Sequence, residues 1–97
     1  MDYYYYKVTH NIEGYIFVTS QYSTTPITED NYEEISAEEY LAFEEKDIYF
    51  YKILDATDMS TIIGVSAGGG RITDSNYIEL LPPDYFALCE ELGVNPK

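Results

Sequence analysis

The pattern of apolar and polar positions begins on strands and ends on a helix. The run Tyr3 to Tyr6, followed by Lys7 and Val8, is bounded by Asp2 and by "HNIEG", and aromatic residues favour a pleated surface, so it predicts a strand. Alternation along that strand puts Tyr3, Tyr5 and Lys7 on one face and Tyr4, Tyr6 and Val8 on the other. A second strand is predicted at 15–20, "YIFVTS", joined to the first by a hairpin containing Asn11 and closing at Gly14. Residues 21–34 are polar, are interrupted by Pro26 and read as a loop. Ser36 with Glu39 forms an S-x-x-E capping box, and Ile35 and Tyr40 hold the staple positions, which predicts a short helix ending near Lys46 or Asp47.

The stretch "DIYFYKILD" returns to alternation, with Ile48, Phe50, Lys52 and Leu54 on one face and Tyr49, Tyr51 and Ile53 on the other. Apolar residues on both faces predict a central strand. Another strand is predicted at 61–66, "TIIGVS", then a hairpin turn through "AGGGR" and a short continuation at 71–73. Residues 76–81, "NYIELL", read as a last strand or an extended connection. A second helix opens near Pro83, buries Tyr85, Leu88, Cys89 and Leu92 at i, i+3, i+4, i+7 spacing, and stops at Gly93 and Val94 before Pro96. The expected fold is a single α+β domain spanning residues 1–97, a small antiparallel sheet of four or five strands with two short helices packed on one face. No internal repeat is evident.

Composition narrows the functional classes. Ninety-seven residues with 45% apolar content suffice for one compact core. The single cysteine, Cys89, has no partner for an internal disulfide, and no apolar run approaches the ~20 residues that cross a bilayer, so a cytoplasmic protein is expected. Eighteen acids against five basic residues give a formal charge of -13, which repels nucleic acid and disfavours direct binding to it.

Candidate chemistry is sparse. Gly64 and Gly69 have the outer spacing of a phosphate loop, but Gly70 and Arg71 follow where Lys and Ser or Thr are required. Gly68, Gly69, Gly70 and Arg71 therefore remain candidates only for holding an anionic small molecule or nucleotide, in a homo-oligomer that sequesters it. His10 near a turn and Cys89 on an apolar stripe do not form a nucleophile and base pair in sequence, so no catalytic residue is expected. No metal-ligand spacing appears, and no cofactor is expected.

Charge distribution is the informative feature. Glu29, Asp30, Glu33, Glu34, Glu38, Glu39, Glu44, Glu45 and Asp47 make up half of the eighteen acids and are opposed locally only by Lys46. Helical spacing would cluster Glu34, Glu38 and Glu45 on one side and set Glu44 and Glu45 at the unfavourable end of the helix dipole. A solvated helix face accounts for acids in the first turn; a binding surface accounts for those in the last. Twelve tyrosines exceed what a small core can satisfy, which places several rings, Tyr3 and Tyr5 among them, at a surface that grips a basic partner or pairs in a homodimer.

In size, acidity and absence of motifs the chain resembles the small anti-restriction and anti-CRISPR proteins of phages and mobile elements. The likeness covers the whole chain as composition and carries over no residue roles. It implies a non-enzymatic inhibitor or adaptor that mimics a negative polymer and blocks a basic, nucleic-acid-binding protein. An accessory structural protein of a phage or bacterium is the further alternative.

Overall fold

The computed structural model describes residues 2–95. It contains strands β1 (Tyr4–Ile12), β2 (Tyr15–Ser23) and β3 (Tyr32–Ile35), helix α1 (Ala37–Ala42), strands β4 (Tyr49–Asp55), β5 (Asp58–Gly68) and β6 (Tyr77–Leu80), and helix α2 (Pro82–Leu92). These elements form two compact units, Met1–Asp47 and Ile48–Lys97. The expectation of one sheet of four or five strands is overturned: the chain is mostly β, with two three-stranded antiparallel sheets ordered β2-β1-β3 and β5-β4-β6. The sequence pattern gives strands without saying which ones pair, and here pairing closes within each half of the chain.

In the first unit β1 is central. It pairs with β2 in unbroken register from Tyr4 opposite Ser23 to Ile12 opposite Tyr15, and with β3 from Tyr5 opposite Ile35 to Val8 opposite Tyr32. Tyr5, on one face, packs on Tyr40 of α1 with ring centroids 4.8 Å apart. Tyr6, on the other, meets Tyr32 edge-on at 5.8 Å, a geometry aromatic quadrupoles favour. Part of the segment expected to be loop is therefore strand: β2 runs on to Ser23 and β3 occupies residues 32–35, because β1 offers a second edge whose hydrogen bonds must be met.

Helix α1 starts as its capping box predicts. The Glu39 N–H donates to Ser36 Oγ (3.1 Å), and Ser36 Oγ lies 3.3 Å from Glu39 Oε1. The helix ends at Ala42, several residues before the expected stop. Beyond it, the Ser20 N–H donates to the Glu45 carbonyl (2.8 Å) and the Asp47 N–H to the Ser20 carbonyl (3.2 Å), so residues 45–47 run beside β2 instead of extending the helix.

The second unit repeats this plan. The central position expected for β4 is observed, with Phe50 packing on Tyr85 (4.7 Å) and Phe86 (5.7 Å) of α2, and Tyr51 meeting Tyr77 edge-on at 6.0 Å. Helix α2 closes as expected on Gly93 in the left-handed region (φ 72°), with the Val94 N–H donating to the Cys89 carbonyl (3.0 Å). Pro96 lies outside the described residues. The glycine segment is not a hairpin turn, since β5 and β6 flank β4 and do not pair with each other. Residues 69–76 carry the chain across from one edge of the sheet to the other, and residues 71–73 form no strand.

The two units are an internal repeat, contrary to the sequence expectation. Equivalent positions fall at a constant offset of 45: Tyr6 and Tyr51, Lys7 and Lys52, Asn31 and Asn76, Tyr32 and Tyr77, Tyr40 and Tyr85. The hydrogen bonds repeat as well. The Ile27 N–H donates to Tyr6 Oη and the Ile72 N–H to Tyr51 Oη, each at 2.9 Å. Asn31 Nδ2 donates to the Thr9 carbonyl and Asn76 Nδ2 to the Leu54 carbonyl, each at 3.1 Å. A constant offset in both contacts and identities, as in "ITEDNYEE" at 27–34 and "ITDSNYIE" at 72–79, requires a shared plan.

Removing either tyrosine hydroxyl strands a part-buried N–H. Tyr6→Phe and Tyr51→Phe are each expected to destabilise the chain by about 1–2 kcal/mol in urea unfolding followed by circular dichroism.

Candidate functional site

All nine acids of residues 29–47 are exposed. Glu33 and Glu34 stand on β3, Glu38 and Glu39 on the first turn of α1, and Glu44, Glu45 and Asp47 on the segment beside β2. The helical grouping of Glu34, Glu38 and Glu45 does not form, since only Glu38 lies within α1, and Glu44 and Glu45 escape the unfavourable dipole because the helix has already ended. The cluster is thus spread over a strand, a helix and an extended segment of one unit.

Its counter-charges do structural work. Lys7 Nζ lies 3.3 Å from Glu33 Oε2 in an exposed cross-strand ion pair. Lys46 caps the end of α1. Its side chain is buried, its Nζ donates to the Leu41 carbonyl (3.0 Å) and to the Phe43 carbonyl, and it sits 5.6 Å from the Tyr40 ring centroid. An ammonium on the last carbonyls of α1 satisfies the orphan acceptors of a helix end and complements its dipole.

The tyrosines are less exposed than expected. Tyr5 and Tyr6 are both buried, which removes Tyr5 from a contact surface, while Tyr3 is half-buried and packs near Tyr22 with centroids 6.1 Å apart. Burial, with a smaller contribution from Tyr3, holds the Tyr22 phenol above its ordinary pKa. Central strands have two faces to fill, and the rings fill them; their hydroxyls are satisfied by backbone and side-chain groups such as the Ile27 N–H and Gln21 Oε1.

Tyr15 is the exception at 69% exposure, and it stands on β2 beside the hairpin turn with Ile12 and Ile16 also exposed. Cross-strand register places Tyr15, Phe17 and Thr19 on one face with Ile12, His10 and Val8 opposite them. His10 stacks on Phe17 (4.6 Å, interplanar 13°) and shares a 2.8 Å hydrogen bond with Thr19 Oγ1. A hollow of about 400 Å³ opens here, lined by Tyr15, Phe17, Val18, Thr19 and Glu45. The sequence reading named Glu45 but missed the aromatic pair. Alternation in "YIFVT" puts Tyr15 and Phe17 on one face, but only the pairing of β3 with the Tyr5–Val8 stretch leaves that end of the hairpin open.

The other candidates are dispersed. Gly68 ends β5 and Gly69, Gly70 and Arg71 begin the crossover that follows it, all four exposed. A nearby hollow of about 390 Å³ is lined by residues 64–67, Tyr85 and the Val94–Asn95 end and includes none of them. Cys89 is fully buried on α2. Among the described residues no group of three or more His, Cys, Asp and Glu side chains is placed to hold a metal ion, and no helix is long and apolar enough to cross a membrane.

The β4–β5 hairpin ends differently. Asp55 Oδ1 accepts from the Thr57 N–H (2.9 Å) and Oγ1 (2.8 Å), and Asp58 accepts from Ser60 and Thr61. These hydrogen bonds hold both carboxyls below the ordinary range, for Asp55 chiefly through the Thr57 backbone and for Asp58 chiefly through the Ser60 hydroxyl.

Against known proteins, no family model matches the chain, and no curated protein and no solved structure matches it.

Two outcomes follow from this geometry. Lys46→Met is expected to cost about 1.5–3 kcal/mol in denaturant unfolding, since it strips charged donors from buried carbonyls, whereas Lys7→Ala costs under about 1 kcal/mol because its ion pair is exposed. For Asp55 and Asp58, a folded pKa below the unfolded value means that the turn contributes stability above the ordinary carboxylate range and loses it as pH falls through the lowered values. Carboxyl ¹³C titration should give both midpoints below the ordinary aspartate value, and hydrogen exchange at Thr57 and Ser60 should accelerate over the same interval.

Proposed function

We propose that the chain is a non-enzymatic binding protein whose first unit presents a carboxylate-rich surface to a basic protein, in the manner of a nucleic-acid mimic that occludes a nucleic-acid-binding enzyme. The observation that carries this reading is that all nine acids of residues 29–47 stay at the surface, from the turn before β3 through β3 and α1 to the segment beside β2. An extended acidic surface of this kind attracts a basic partner through long-range steering and gives up affinity as salt screens it. Cys89 is sealed in the core, and the His10 ring is engaged by Phe17 and Thr19.

The test replaces Glu34, Glu38, Glu39 and Glu44 by Gln together, which preserves the capping box because Gln serves at its third position. Affinity for a fluorescent Lys- and Arg-rich peptide is read by anisotropy at low and high salt. Each exposed charge contact contributes about 0.2–1 kcal/mol, so the quadruple variant is expected to bind roughly tenfold more weakly at low salt, with a shallower salt dependence. Equal affinity and equal salt slope for variant and wild type would overturn the reading. Cys89→Ser is expected to leave peptide binding within about twofold of wild type.

A further inference from the structure

We infer that the hollow at the end of the first hairpin, lined by Tyr15, Phe17, Val18, Thr19 and Glu45, receives an arginine or lysine side chain of a protein partner. This rests on the acidic-surface reading and narrows it to one anchoring position.

The chemistry of the lining selects the occupant. Tyr15 and Phe17, with ring centroids 5.6 Å apart, line the hollow together with the exposed Glu45, so aromatic rings and a carboxylate-bearing residue converge on it. An anionic ligand would meet that carboxylate and the formal charge of -13, so the complementary group is positive. A volume of about 400 Å³ lies at the small end of ligand sites and suits a single long side chain.

The lining is also held in place. Phe17 lies flat against His10, which is fixed by Thr19 Oγ1, and the Glu45 backbone is pinned to β2 by the Ser20 N–H (2.8 Å) and Ser20 Oγ (3.3 Å). Groups ordered before binding lose less entropy on forming the complex.

The internal repeat supplies the comparison that separates scaffold from site. Positions that build the fold are the same in both units: Tyr6 and Tyr51 hold the crossovers, Asn31 and Asn76 hold the third strand, and Tyr40 and Tyr85 cover the sheet. The hairpin ends are not the same. In the second unit the register shifts twice between Ile53 and Asp55, and the end is built from Asp55, Asp58, Thr57, Ser60 and Thr61, hydrogen-bonded among themselves. The plan therefore folds without aromatic rings at that end. Tyr15, at 69% exposure, is surplus to the architecture, which is what a residue kept for contact would be.

The test is an amide NMR titration of the full chain with N-acetylarginine amide, with N-acetylnorleucine amide as the neutral control and chloride matched throughout. Shifts confined to residues 15–19 and 45–47, absent with the neutral amide and weakened about tenfold or more by Tyr15→Ala and by Glu45→Gln, would support the site. Phe17→Leu, which keeps an apolar side chain under His10, serves as the second variant, and unchanged amide shifts in the second unit certify folding. Shifts scattered over residues 29–47, or an equal response to the neutral amide, would overturn it. The basic-peptide measurement separates this inference from the reading beneath it. Full peptide affinity in the combined Tyr15→Ala and Glu45→Gln variant would overturn the hairpin site and leave the acidic surface standing. Localised N-acetylarginine amide binding by a wild type that ignores the peptide would uphold the site and overturn the acidic surface.

Discussion

A central strand flanked on both edges and buried on both faces needs side chains that fill volume and yet satisfy a polar neighbour, and tyrosine meets both demands. Strands β1 and β4 are in this position. On one face Tyr5 and Phe50 meet the rings of the following helix; on the other Tyr6 and Tyr51 meet Tyr32 and Tyr77 and accept a hydrogen bond from the chain as it crosses to the third strand. Without those hydroxyls the crossovers would carry a part-buried N–H with no partner there, a cost comparable to a lost hydrogen bond. The third strands and the helices that follow them depend on where the crossovers deliver the chain.

This arrangement also leaves the acids free for other uses. The cores of both units are built from aromatic and aliphatic groups, and the one buried ammonium among the core residues, Lys46, closes the end of α1. Charge is therefore almost entirely an exterior property, and in the first unit it runs along β3, α1 and the strand-like segment that follows. The carboxylates that the structure does use locally, Glu33, Glu39, Asp55 and Asp58, serve an exposed ion pair, a helix cap and a turn.

Much of the local structure was legible. The capping box at Ser36 and Glu39, the hairpin at Gly14 and the left-handed stop at Gly93 are short-range devices whose geometry depends on a few adjacent residues. The central position of β4 followed from apolar residues on both of its faces. The length of α1 was not legible, because residues 44–47 have helical propensity and leave the helix only to pair with Ser20. Tyr5 was assigned to the surface by counting rings, but the count did not include a second buried face.

The sequence by itself determined five of the six strands, the helix caps, the first hairpin and the acidity, since each is a property of neighbours within a few residues. Tertiary structure alone decided that strands pair within each half and that Glu45 comes to the hollow lined by Tyr15 and Phe17. Hydrogen-bond pairing between strands carries no mark in the alternation that predicts them. The repeat is written in the sequence at an offset of 45, as in "ITEDNYEE" at 27–34 and "ITDSNYIE" at 72–79, and the shared contacts show what those identities build.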